Sequence, residues 1–186
     1  MSVRDRLATR WGSWGEAVYA GGAGLVAIAV AGAVAALARE PVLFPSLGPS
    51  VFLFFETPLA ANSSPRNTLL GHAVGIGCGL GALALTGLWS APSVIQIGVS
   101  PARVLAAALA VGSTSFLLAG VRLPHPPAGA TTLIVALGLI TGTHALLYIP
   151  VGVAVITVVA ISVNRYLGEP VPAWGPHGGR KARVAT

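Results

Sequence analysis

His72 and His125 are the side chains best suited to chemistry here, because each lies in or beside a long uncharged apolar run. An ionisable group held inside a membrane is costly and tends to mark a conduction path or a proton relay. A plainer role is open to both, a neutral imidazole donating to a nearby carbonyl. Hydroxyls stand near them in a repeated pattern. Pro45, Gly48 and Ser50 recur 81 residues later as Pro126, Gly129 and Thr131, giving Pro-x-x-Gly-x-Ser/Thr twice. Ser46, Ser50, Thr131 and Thr132 therefore offer donors to a small anion, unless they only cap their own helices. Arg66 and Asn67 lie where a loop meets the next helix and are placed at the mouth of such a path, while Glu56 reads as interfacial. Ser50 and His125 are also a formal nucleophile and base. Residues 48–51, Gly-Pro-Ser-Val, carry no nucleophile motif, however, and a Pro ahead of Ser suits a helix start, so no enzyme is expected. No three-His or Cys/His set has metal-ligand spacing, so neither a metal nor another cofactor is expected. The lone Cys78 reads as a small packing residue, and His144 and His177 are given no role.

The elements that must position these groups follow from composition. Of 186 residues, 54% are hydrophobic and 9% charged, against about 25% charged in a soluble domain. Six charged residues serve the 148 residues from 17 to 164. Such a chain cannot cover its apolar surface in water, so it is an all-α integral membrane protein, and soluble enzymes are excluded. The net charge of +6 is concentrated at the termini without an interleaved aromatic patch, which argues against nucleic acid.

Four uncharged stretches, 17–38, 69–89, 104–121 and 145–163, approach the ~20 residues a membrane-spanning helix needs. Between them, 41–60 and 124–140 are broken by Pro41, Pro45, Pro49 and Pro58 and by Pro124, Pro126 and Pro127. Each predicts an extended strip leading into a half-length helix, starting near Ser50 in the first and near Ala130 in the second. Non-helical chain at membrane depth must be buried in protein or line an aqueous cavity, so two such strips point to a site. At each half-helix start, unpaired amides and the positive dipole end favour an anion. Long helix, broken piece, long helix occurs twice, at about 17–90 and 101–165, which suggests two repeats of three segments.

Basic residues near both ends place both termini in the cytoplasm. If the broken pieces re-enter, eight basic residues face inward and three outward; if they cross, the count is nine to two and the repeats are inverted. The second arrangement fits the charge bias better. Trp11, Trp14, Trp89 and Trp174 lie at the ends of apolar stretches, as an interfacial belt requires. Residues 1–16 form a lead whose 3–14 segment has an amphipathic face, 17–165 form one transmembrane domain, and 166–186 form a flexible basic tail. Gly71, Gly75 and Gly79 present a smooth face for a packed helix. A dimer or trimer would help so thin a bundle enclose a polar path, with the Gly faces as candidate contacts. The six interior charges, Arg39, Glu40, Glu56, Arg66, Arg103 and Arg122, all fall at segment ends, so no obligate charge is expected in mid-membrane.

Pro45-Ser46-Leu47-Gly48-Pro49-Ser50, Ser64-Pro65-Arg66-Asn67 with Gly71-His72, and His125-Pro126-Pro127-Ala128-Gly129-Ala130-Thr131 resemble the three signature blocks of the HPP family. The resemblance spans roughly residues 17–170. It implies an integral membrane protein with four transmembrane helices, and cyanobacterial and chloroplast members are implicated in nitrite transport. Some members carry a C-terminal nucleotide-sensing module, which the 16 residues after Pro170 are too few to supply. The expectation is therefore an inner-membrane transporter or channel for a small inorganic anion, nitrite first. Its binding set is Ser46, Gly48, Ser50, Arg66, Asn67, His72, His125, Pro126, Pro127, Gly129, Thr131 and Thr132. The alternative is a non-transporting membrane subunit or sensor that binds a partner protein.

Overall fold

In hydrocarbon, backbone donors and acceptors must be satisfied within the segment, so long apolar stretches fold as helices whose limits are set by caps and prolines. A computed structural model describes residues 1–39, 42–140 and 143–176, the last without the side chains of 143–145. Glu40, Pro41, His177, the basic residues of the tail's end and the side chain of His144 lie outside the described residues. The helices are α1 (Val3–Trp11), α2 (Ser13–Ala38), α3 (Leu47–Glu56), α4 (Pro65–Leu85), α5 (Val94–Ile97), α6 (Pro101–Gly120), α7 (Pro127–Ala136) and α8 (Thr143–Tyr166), with a 3-10 turn at Ala61–Ser63. Four of them, α2, α4, α6 and α8, are long and apolar enough to cross a membrane, and α3 and α7 are the two shorter apolar helices.

α4 and α6 begin before their uncharged stretches do, because Ser64 and Ser100 cap the amides of Asn67 and Arg103 and a Pro follows at the first helical position. α3 begins at Leu47, three residues earlier than Ser50. Pro49 is tolerated there because an N–H in the first turn would have no intrahelical acceptor. α7 stops at Ala136, short of residue 140, and Gly138 turns the chain at φ +67.

Side-chain contacts give each segment its direction. Val3 N–H donates to the carbonyl of Leu167, so the start of the chain and the end of α8 share one face of the bundle. The strip after α2 lies beside Gly32 and Gly152, and α3 ends where Asn164 donates to the Phe54 carbonyl at 3.0 Å, next to the start of α2. Residues 42–56 therefore run from beside Gly32 and Gly152 towards the terminal face. The strip 121–126 starts at the terminal face, and α7 then runs parallel to α4, meeting Gly71, Gly75 and Gly79 in turn. It ends at Ala136, whose carbonyl accepts from Arg103 in the first turn of α6. Each broken piece thus leads from one end of the bundle towards the other. α3 and α7 run in opposite directions, and their starts meet inside the bundle.

The 71/75/79 face is occupied within the chain. A Cβ on Gly75 would lie 2.7 Å from the Ala128 carbonyl oxygen, and one on Gly79 would lie 2.7 Å from Val135 Cβ. That face is unavailable to a second copy, whereas Gly77 and Gly81 meet open space. α2 packs through Tyr19 and then through Ala23, Ala27, Ala31 and Ala35, small residues every fourth position that admit α3 and α8 closely.

Both ends of the chain depart from the expected lead and tail. The lead does not continue as one helix over 3–14: Gly12 at φ +56 ends α1, which folds back so that the Leu7 backbone lies where a Gly15 Cβ would be. Beyond α8, Glu169 and Val171 are buried and the Trp174 carbonyl accepts from Arg66 N–H, so the tail is docked at least that far.

Candidate functional site

Where the two half-helices meet, Ser46 Oγ lies 2.7 Å from Thr131 Oγ1. Thr131 Oγ1 is 2.6 Å from His72 Nδ1. On the other edge of that ring, His72 Nε2 is 3.2 Å from His125 Nε2 and 3.1 Å from Ser50 Oγ. His125 Nδ1 then lies 2.8 Å from the Asn62 carbonyl oxygen. The rings stand edge to face with centroids 4.9 Å apart. Ser46, Ser50 and Thr131 are wholly shielded, and the two histidines nearly so. Five elements are thereby joined: α3, α4, the Asn62 turn, the strip leading into α7, and α7 itself through Thr131.

One carbonyl fixes the polarity of this chain. The Asn62 oxygen can only accept, so His125 Nδ1 carries the proton, and in the neutral ring Nε2 is then an acceptor. His72 Nε2 must therefore donate to it, which leaves His72 Nδ1 to accept from the Thr131 hydroxyl. Thr131 in turn accepts from Ser46. Ser50 completes the cluster, 3.4 Å from His125 Nε2 and 3.3 Å from the Ser46 carbonyl, to which it donates. Every member has a partner, as buried polar groups require, and the arrangement is a closed wire of alternating donors and acceptors.

Ser46, Ser50, His72, His125 and Thr131 come together as the sequence suggested. The hydroxyls of Ser46 and Thr131 do not cap their own helices, since neither α3 nor α7 has a side-chain cap. Thr132 faces α6 instead, bonding Thr114 at 2.9 Å and the Ala128 carbonyl at 2.9 Å. Asn67 is buried and ties the Ala61 and Pro124 carbonyls together, with Arg66 Nε donating to its Oδ1. Both lie at the terminal-face end of α4, more than a turn from His72. Gly48 and Gly129 meet open space rather than the cluster, and Pro126 is exposed.

The expected free amides at the half-helix starts are absent. Leu47 and Gly48 donate to the Phe44 and Pro45 carbonyls, Ala128 and Gly129 donate to His125 and Pro126, and Pro49 and Pro127 have no N–H. The polar groups left in the cluster are the hydroxyls and imidazoles. Prolines that hold the strips in shape also consume the turn's hydrogen bonds, a cost of the motif that spacing alone does not reveal.

Two participants escaped the sequence reading. Thr114 could have been noticed as a hydroxyl inside the apolar run of α6. The Asn62 carbonyl left no signal, because a backbone acceptor is available at any residue. A separate buried polar group, Tyr19 donating to Asn164 Oδ1 at 2.7 Å, ties α2 to α8 near the terminal face.

Long apolar helices enclosing two opposed half-helices define an all-helical, multi-pass membrane protein. The chain belongs to the HPP family: the family described as HPP, transmembrane region, matches residues 9–172. No curated protein and no solved structure matches it.

Proposed function

We propose that this protein is an inner-membrane transporter or channel for a small monovalent anion, with nitrite the first candidate, and that the Ser46–Thr131–His72–His125 chain is its closed gate. The observation that carries the reading is the joining of two opposed half-helix starts by buried hydroxyls and imidazoles, the placement that transporter binding sites share. We read the two halves as inverted repeats and, from the charge bias, place both termini in the cytoplasm.

The gate's chemistry follows from its polarity. His72 and His125 share one proton between their Nε2 atoms. A second proton sets two N–H groups against each other at 3.2 Å, which breaks the pair. The imidazolium so formed, at the positive ends of α3 and α7, needs an anion to neutralise it. Anion and proton would thus enter together, in an electroneutral step. Ser46, Thr131 and Ser50, released from each other, supply the neutral donors to the anion. Arg66 and Asn67 lie at the cytoplasmic mouth in this orientation.

Ser50 and His125 do approach within 3.4 Å, as an enzyme would need. Ser50 is wholly shielded and the neighbouring amides are already bonded, so no oxyanion site accompanies it. We therefore read the protein as having no enzymatic activity. The partner-binding alternative loses its main surface, since α7 covers the 71/75/79 face.

Uptake into proteoliposomes tests the proposal. The expected result is saturable nitrite entry that rises as external pH falls and exceeds passage through empty vesicles. Folded protein with no such excess refutes the substrate claim. His125→Ala with uptake and pH profile unchanged removes the relay.

A further inference from the structure

Arg103 stands in the first turn of α6, at the face opposite the termini. A charge at a helix end ordinarily reaches water, but this side chain turns inward and is 1% exposed. Its Nη1 donates to the Ala136 carbonyl at 3.0 Å, and Nη2 donates to Ala91 and Pro92 at 2.9 and 2.8 Å. Its Nε is buried without a partner. Among the described residues the one ion pair joins Arg4 to Glu16 at the other face, and no described carboxylate pairs with Arg103.

A guanidinium cannot release its proton to escape burial. Three carbonyl dipoles and the negative end of α7 offset part of the charge, but none is a full anion. Beside the guanidinium lies a cavity of about 70 Å³, lined also by Leu88, Trp89, Ala91, Gly138 and Ile140. A water needs roughly 10–15 Å³ on this measure, so the cavity has room for a small ion with a few waters. Gly138 lets the guanidinium lie close to the backbone, since a Cβ there would be 2.9 Å from Nη2. A guanidinium that served only to clamp carbonyls would not need the cavity beside it. Its planar fork suits a small oxyanion.

We infer that Arg103 and this cavity form an anion-binding site at the face opposite the termini, separate from the histidine gate and taking small monovalent anions such as nitrite or bromide. The ligand class rests on the anion reading above. In the proposed orientation the site lies on the outer side, where it would gather anions ahead of the gate.

Two measurements on the full chain test it. Calorimetric titration with sodium nitrite, against a sodium gluconate control, should show saturable binding that weakens roughly tenfold or more in Arg103→Gln, the loss of a charge-assisted hydrogen bond. Arg103→Lys should recover part of it. Equal affinity in wild type and Arg103→Gln overturns the proposal. Because Arg103→Gln also disturbs three carbonyl contacts, bromide-soaked crystals of the wild type give the second measurement. An anomalous peak within hydrogen-bonding distance of the guanidinium supports the site, and its absence there overturns it. Flux separates the two claims. Binding at Arg103 with no anion entry into wild-type vesicles leaves the site standing and removes the transport reading. Entry without binding at Arg103 does the reverse.

Discussion

Replacing Thr131 by Val nearly preserves the side chain's shape and removes the hydroxyl that joins Ser46 to His72. In the wild type that hydroxyl donates to His72 Nδ1 at 2.6 Å and accepts from Ser46 Oγ at 2.7 Å. Valine leaves two fully buried groups without partners, an acceptor on His72 and a donor on Ser46. An orphaned buried group costs about 1–3 kcal/mol, so the pair costs about 2–4 kcal/mol after allowance for the weaker hydrogen bonds measured between membrane helices. Ser46→Ala is milder, about 1 kcal/mol, because Thr131 still donates to His72. In the double variant Ser46 has no donor left to orphan, so the cost falls short of the sum of the singles by about 1 kcal/mol. Reversible unfolding in bicelles or nanodiscs gives all four corners of the cycle. Thr131→Val within about 0.5 kcal/mol of wild type, or strictly additive singles, would refute the assigned wire.

Two further outcomes follow from other parts of the molecule. Gly79→Ala must part α4 from Val135 and should lower stability by about 1–3 kcal/mol, whereas Gly77→Ala meets open space and should be neutral or slightly stabilising; thermal unfolding of the two variants checks the contrast. At the start of α1, hydrogen bonds from the Ser2 backbone N–H and then its hydroxyl hold the Asp5 carboxyl below the usual carboxylate value. The folded value being the lower, the capping interaction is complete above the ordinary carboxylate range and is lost as pH falls through the depressed value. Fluorescence of Trp11 against pH should show α1 loosening only in acid, and Asp5→Asn should move that transition.

The buried cluster was legible because it uses residues that are rare inside a membrane. Two imidazoles and a repeated Pro-x-x-Gly-x-Ser/Thr pattern stand out from apolar chain, and prolines announce where helices cannot run. The Gly71/Gly75/Gly79 spacing likewise announced a packed neighbour, though not that α7 would be that neighbour. Directions of side chains were not legible. Arg103 lies at a segment end, as its position suggests, yet carbonyls from Ala91, Pro92 and Ala136, remote in sequence, draw it inward. Gly48 and Gly129 belong to the repeated pattern but face away from the cluster, and Thr132 turns to Thr114. α3 starts three residues ahead of Ser50 because Pro49 falls in the first turn, where its missing N–H would have no acceptor.

Entry of an anion together with a proton through the histidine gate is tested most directly by internal pH in proteoliposomes that hold a trapped pH-sensitive dye. On adding sodium nitrite outside, wild-type vesicles should acidify internally faster than empty vesicles, which report the passage of nitrous acid through lipid alone. The excess should saturate with nitrite and vanish in His72→Asn. An excess rate of zero with folded wild-type protein, or an excess unchanged by His72→Asn, would contradict the account.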